Sequence, residues 1–211
     1  MKIAEVRDQI QSAVNPRFEE VDFVLRKADF EYVRRSGDIR AIFRIEIHAK
    51  TDWFLITPTA FVGSATINRK FNSILNRNIQ PTGSTCGFGV ANETNHARGR
   101  YQVDSLSDLA NAIEAIWSDF VEIGSPFFDR VNSSESIDNY LNEQKVGICP
   151  AGSVSNACLG LIAASLTKER DLHPLADKYF QFWADAQSPE LAQDILTVRD
   201  ALIGPPVIPK A

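Results

Sequence analysis

Glu46 and His48 stand two residues apart in "IRAIFRIEIHA", the spacing that places side chains on one face of an extended strand. A carboxylate beside an imidazole can orient it as a general base, and Arg40 and Arg44 fall on the same alternation. Cys86 in "GSTCGFG" offers a second chemistry, because a thiol in a glycine turn can serve as a nucleophile. Either set would make the chain a small-molecule hydrolase or transferase. A solvated strand face carries the same Glu and His, however, and Gly87 and Gly89 read equally well as strand or bulge glycines. His96 lies in the polar stretch "ANETNHARGR" and His173 directly precedes Pro174, where exposure or capping accounts for each.

The motifs of established chemistries are missing. There is no GxSxG, HExxH or GxGxxG, and Cys86, Cys149 and Cys158 are an odd number, far apart and without a CxxC. The reading is three reduced thiols, no bound metal and no cofactor.

Charge points elsewhere. Residues 1–103 carry 15 Lys and Arg against 11 Asp and Glu, whereas residues 104–211 carry 7 against 16. So acidic a half repels nucleic acid and attracts a basic protein partner. The helical stretch after Asp104 places Asp108, Glu114, Asp119 and Glu122 around its polar side, with Asp119 and Glu122 expected to point away from the apolar stripe. These four form one candidate binding face; the strand face of Arg40 and Arg44 is the second.

The elements that must position these groups follow from periodicity. Val6, Ile10 and Val14 mark an opening helix that Asn15-Pro16 ends, and Phe18, Val21, Val24 and Leu25 mark a second stripe. The period then changes to two. "FEYVRRS" and the half-buried strand from Ile39 flank a Gly37-Asp38 turn, which sets Tyr32 opposite Phe43, Glu31 opposite Arg44, Val33 opposite Ile42 and Arg35 opposite Arg40. "WFLITPTAFV" continues as a third strand, where Pro58 marks an edge, a bulge or the strand end. A short helix follows Ser64 or Thr66, and two short strands around "CGFGVA" and "RYQV" come next.

Leu106, Leu109, Ile113, Ile116, Trp117, Phe120 and Ile123 form the stripe of a strong helix. Gly124 as a left-handed cap and Pro126 stop it, Phe127 and Phe128 are buried, and Asn132 with Glu135 caps a new helix. "GSPFFDRVNSSE" thus reads as a structural corner. Three further helices, 157–168, 174–186 and 189–202, follow the loop "KVGICPAGSVSN"; the second presents a broad apolar arc that suits its neighbours or a second copy of the chain, so monomer and homodimer both remain open.

"LRKADFEYVRRSGDIRAIFRIEI", the amphipathic helix ending in "GSPFFDR" and the "SIDNYL" helix resemble domain-of-unknown-function family 4304 over residues 18–145. The resemblance implies an α+β fold with an antiparallel sheet and no established activity. Through members placed among toxin and immunity genes, it also implies a binding role.

The sequence therefore predicts an α+β fold with an antiparallel sheet of about five strands packed by helices. Its expected parts are an α+β domain over 1–145, a helical extension packing on it over 146–203, and a flexible tail over 204–211. With no secretory leader and no apolar run long enough for a membrane span, it reads as a cytoplasmic protein. The expected function is a noncatalytic protein-binding module, of which an immunity-type inhibitor of a basic toxin is one form.

Overall fold

A computed structural model describes residues 2–77, 83–143, 153–185 and 189–204, without the side chains of 189–191. Cys149 and all but the first residue of the expected tail lie outside the described residues. The fold is α+β with an antiparallel sheet, as the periodicity predicts. In chain order its elements are α1 (Ile3–Glu19), β1 (Val24–Arg26), β2 (Glu31–Ser36), β3 (Ile39–Ala49), β4 (Phe54–Ser64), α2 (Ala65–Leu75), β5 (Cys86–Gly89), the short α3 (Val90–Glu93) and β6 (Tyr101–Val103). Helix α4 (Leu106–Asp119), a π turn (Phe120–Gly124), α5 (Ser125–Arg130), α6 (Ser134–Asn142), α7 (Val154–Thr167), α8 (Leu172–Asp185) and α9 (Pro189–Ile203) follow.

The chain groups into two compact units, one of 1–62 with 87–130 and one of 63–86 with 131–211. Helices α2 and α6 therefore belong with the C-terminal helices, whereas the sequence reading placed both in the first domain.

The first unit holds most of the sheet, whose strand order is β1-β2-β3-β4-β5 with β6 also on β4. The β2–β3 register is the expected one, Ser36 opposite Ile39 through Glu31 opposite Arg44. Gly37 has φ +59°, the conformation that a two-residue hairpin with glycine first requires. On β4, β6 occupies Phe54–Ile56 while Gly87 of β5 lies against Ala60 and Phe61. Pro58 falls between those two partners, where its missing N–H breaks no ladder.

Three expectations are corrected here. Helix α1 runs through Pro16 to Glu19, because Val6, Ile10, Val14 and Phe18 make one uninterrupted buried stripe. Interior proline costs about 3 kcal/mol, and burial of Phe18, which stacks on Tyr32 at 3.9 Å, offsets it. Val24 and Leu25 form an edge strand on β2, not a second helical stripe. Strand β3 is not half-buried along its length: Arg40 and Ile42, on the nominally polar face, are 7% and 2% exposed.

The corner is also corrected. Gly124 is not a left-handed cap, and the helix does not stop. Ser125 N–H donates to Phe120 O, a π-type bond, and α5 continues through Pro126. Gly124 lacks a side chain because the Phe43 ring packs against it, leaving 3.2 Å to where a Cβ would stand. Phe127 and Phe128 are buried as expected. The Phe120 ring is the hub of this core, within 4.6–5.4 Å of the rings of Phe18, Phe23, Phe43 and Trp117. Helix α6 is capped by Ser133 with Ser136, one residue beyond the expected Asn132 and Glu135.

The second unit is helical, and a polar network runs through its interior. Asp138 is fully buried on α6; it accepts from Asn142 Nδ2 (2.5 Å), Thr167 Oγ1 (3.0 Å) and Arg170 Nε (2.9 Å). Asn142 also donates to the carbonyl of Gly160 on α7 (3.0 Å) and accepts from the Tyr179 hydroxyl on α8 (2.6 Å). Every partner is matched, so the network fixes the register of three helices at little desolvation cost.

Candidate functional site

Glu31, on β2, is buried, and Arg44 on β3 neutralises it through Nε (2.9 Å) and Nη2 (2.5 Å). Burial alone would lower the Arg44 guanidinium, but Glu31 and Glu46 hold it above its usual value. Arg26 lies 3.4 Å from the same Glu31 and binds Asp29 at 2.6 Å. The chain of charges continues along β3: Arg44 Nη1 is 3.6 Å from Glu46, whose other oxygen is 3.6 Å from His48 Nε2.

The structure thus brings Glu46 and His48 onto one face, yet not into a relay. Thr57 Oγ1 approaches the imidazole at 3.4 Å, again at Nε2. A relay needs the carboxylate on one ring nitrogen and the hydroxyl on the other. Both neighbours of His48 share a single nitrogen, and the ring is half exposed.

Cys86 is no better placed for catalysis. It is 5% exposed, and burial pushes its thiol up to about 12, so the protonated thiol and not the nucleophilic thiolate is the form present at neutral pH. The glycine after it has a packing reason: a Cβ on Gly87 would stand 2.3 Å from Ala60 O. Cys158 is likewise a free, buried thiol. Among the described residues no three His, Cys, Asp or Glu converge as metal ligands would.

Every carboxylate of the acidic helix face is engaged within its own unit. Asp108 accepts from the backbone and hydroxyl of Ser105, closing the α4 cap. Glu114 holds Arg17 in a bidentate pair at 2.6 and 2.9 Å. Glu122 accepts from Arg98 (2.5 Å) and Ser118 (2.6 Å). Asp119, expected on the surface, is 0% exposed; Arg98 Nε (2.8 Å) and the Tyr101 hydroxyl (2.5 Å) both donate to it. Arg40, from the other expected binding face, is buried as well, and burial together with Arg35 and Arg26 lowers its guanidinium.

Burial pushes the Asp119 carboxyl above the usual carboxylate range, against the hydrogen bonds from Tyr101 and Arg98. The folded chain therefore holds this proton more tightly than the unfolded chain, and that contribution to stability is lost as the pH rises through the folded value. Asp119→Asn removes the titration. Its stability relative to the parent is expected to rise as the pH increases from about 4. Urea midpoints at several pH values would check this, and a relative stability that falls over the same range would refute it.

No family model matches the chain, and neither a curated protein nor a solved structure matches it. No helix among the described residues is long and apolar enough to cross a membrane.

What the geometry does provide is a hollow of about 460 Å³ in the first unit, where the start of α1 meets the turn before β2 and the end of β3. Its apolar walls are Ile3, Phe30, Ile45 and Ile47, and Ile3 is 48% exposed. Asp8, Asp29 and Glu46 border the hollow beside His48; Arg26 binds Asp29 at 2.6 Å and Arg44 lies 3.6 Å from Glu46. Its one arginine, Arg7, donates to the Lys27 carbonyl (2.6 Å) and lies over the Phe30 ring at 4.9 Å. Three acids against Arg7 thus border an apolar interior, and two of the three already face arginines. Of these groups Glu46 and His48 stand out in the sequence and the others do not, because α1 and β3 meet only in the fold.

Proposed function

We propose that the chain is a noncatalytic protein-binding module that recognises a basic partner through this hollow. The observation that carries the reading is the pairing of an apolar interior with a rim of Asp8, Asp29 and Glu46. A lysine or arginine side chain fits such a site, since its hydrocarbon stem lies on apolar surface while its charge meets carboxylates. The acidic helix face lends less support, because all of its carboxylates are engaged by Arg17, Arg98 and the α4 cap, whereas in the hollow Asp8 stands outside the ion pairs among the described residues. An immunity-type inhibitor of a basic toxin, the role implied by the resemblance to family 4304, would be one protein of this kind.

Short lysine-bearing and glutamate-bearing peptides titrated against the full chain test the reading. The lysine peptide should bind more tightly and weaken as salt is raised, because rim charges are screened beyond about 10 Å at 0.1 M ionic strength. The double substitution Asp8→Asn, Glu46→Gln should weaken it by about threefold to tenfold. Equal binding of the two peptides would overturn the reading.

A further inference from the structure

Strand β3 is longer than the strand beside it. Its eleven residues run to Ala49, but its register with β2 ends where Arg44 faces Glu31. One further bond, from Ile45 N–H to Phe30 O (3.1 Å), closes the ladder. Phe30 then leaves the strand with φ +52°, a left-handed conformation that costs a non-glycine residue about 1–2 kcal/mol. That turn carries the chain away from β3.

Backbone groups alternate between the two edges of an antiparallel strand. Because Ile45 N–H points toward the β2 side, the N–H and C=O of Ile47, and after them the N–H of Ala49, point to the same side. Among the described residues no strand lies there. This open length of edge borders the hollow, whose walls include Ile45, Glu46, Ile47 and His48.

We infer that the hollow takes an extended segment of a protein partner, which adds to the open edge of β3 beside Ile47–Ala49 as a short strand. The inference rests on the reading of the hollow as a site for a basic partner and specifies its backbone conformation. Side chains of an added strand alternate between the two faces of the sheet. One set would meet Ile3 and Phe30 on the α1 side, and the other would meet Glu46 on the opposite face. The fitting segment therefore alternates apolar residues with lysine or arginine. Three residues of strand span about 10 Å.

The probe is a blocked pentapeptide of alternating valine and lysine, titrated against the full chain. Two twins of it carry backbone N-methyl groups, one twin along each edge of the strand. Addition to β3 requires the parent peptide to bind with shifts and slowed exchange at the Ile47 and Ala49 amides. It also requires one twin, but not the other, to bind at least about tenfold more weakly, the loss of two backbone hydrogen bonds. If all three peptides bind equally, the hollow captures side chains alone; this inference fails and the proposed function stands. If none binds at millimolar concentration, both fail. If the chain instead self-associates and Ile47→Pro abolishes that association, the edge is an interface between copies, and the inference is again overturned.

Discussion

Gly160→Ala is expected to destabilise the protein by about 2–3 kcal/mol, although alanine is the better helix former by about 1 kcal/mol. The sign is decided by space. A Cβ at position 160 would stand 2.5 Å from Asn142 Oδ1 and 3.4 Å from the Leu141 Cβ. An exposed amide would swing aside, but this one is held by the Tyr179 hydroxyl, by Asp138 and by the Gly160 carbonyl itself. Making room for the methyl means surrendering hydrogen bonds within a buried network, at about 1–3 kcal/mol for each group left unpartnered. Chemical denaturation of the single and double variants with Asn142→Ala should show strong coupling between the sites. A stabilised Gly160→Ala variant would mean that the three helices do not pack as described.

The second large effect is expected at Phe120. Truncation to alanine removes the ring at the centre of the aromatic core and should cost about 3–5 kcal/mol, enough to unfold a marginally stable protein. Phe120→Leu keeps most of the volume and should cost roughly 1.5 kcal/mol. The comparison matters because Phe18, Phe23, Phe43 and Trp117 all meet this one ring. If alanine costs no more than leucine, the cluster is not the core of its unit.

The hairpin was fully legible, since a strict alternation on both sides of Gly37-Asp38 permits a single register and a slip of one residue would expose Phe43 and Ile45. The burial of Asp119 runs against the expectation of an exposed acid, although the sequence carries a signal for it. Asp119 lies three residues after Ile116 and directly before Phe120, on the buried side of α4. An acid in that position demands a buried partner, and Arg98 and Tyr101 supply one from about twenty residues away, a distance no periodicity reveals. The hollow was half legible. "IRAIFRIEIHA" keeps its alternation for longer than "EYVRRS", so part of β3 had to lack a neighbour. That α1 would bring Ile3 and Asp8 to the same place depends on its passage through Pro16, where local rules favour a stop.

The π turn at Phe120–Gly124 gives the chain a place where its length can change by one residue without disturbing the helix. Such a turn holds one residue more than an ordinary helical turn, so a chain shortened by one residue here could close the gap as continuous α-helix with every backbone bond intact. Helix α5 would then keep nearly its present phase relative to α4, because the extra residue sits within a single turn and both kinds of turn close one revolution. Phe127 and Phe128 would stay in the core, whereas loss of one residue from α4 itself would rotate them by about 100° away from it. Loss of one residue between positions 121 and 123 should therefore be far less damaging than loss of one residue from α4, since the first removes the extra residue of the turn and the second re-phases the whole of α5.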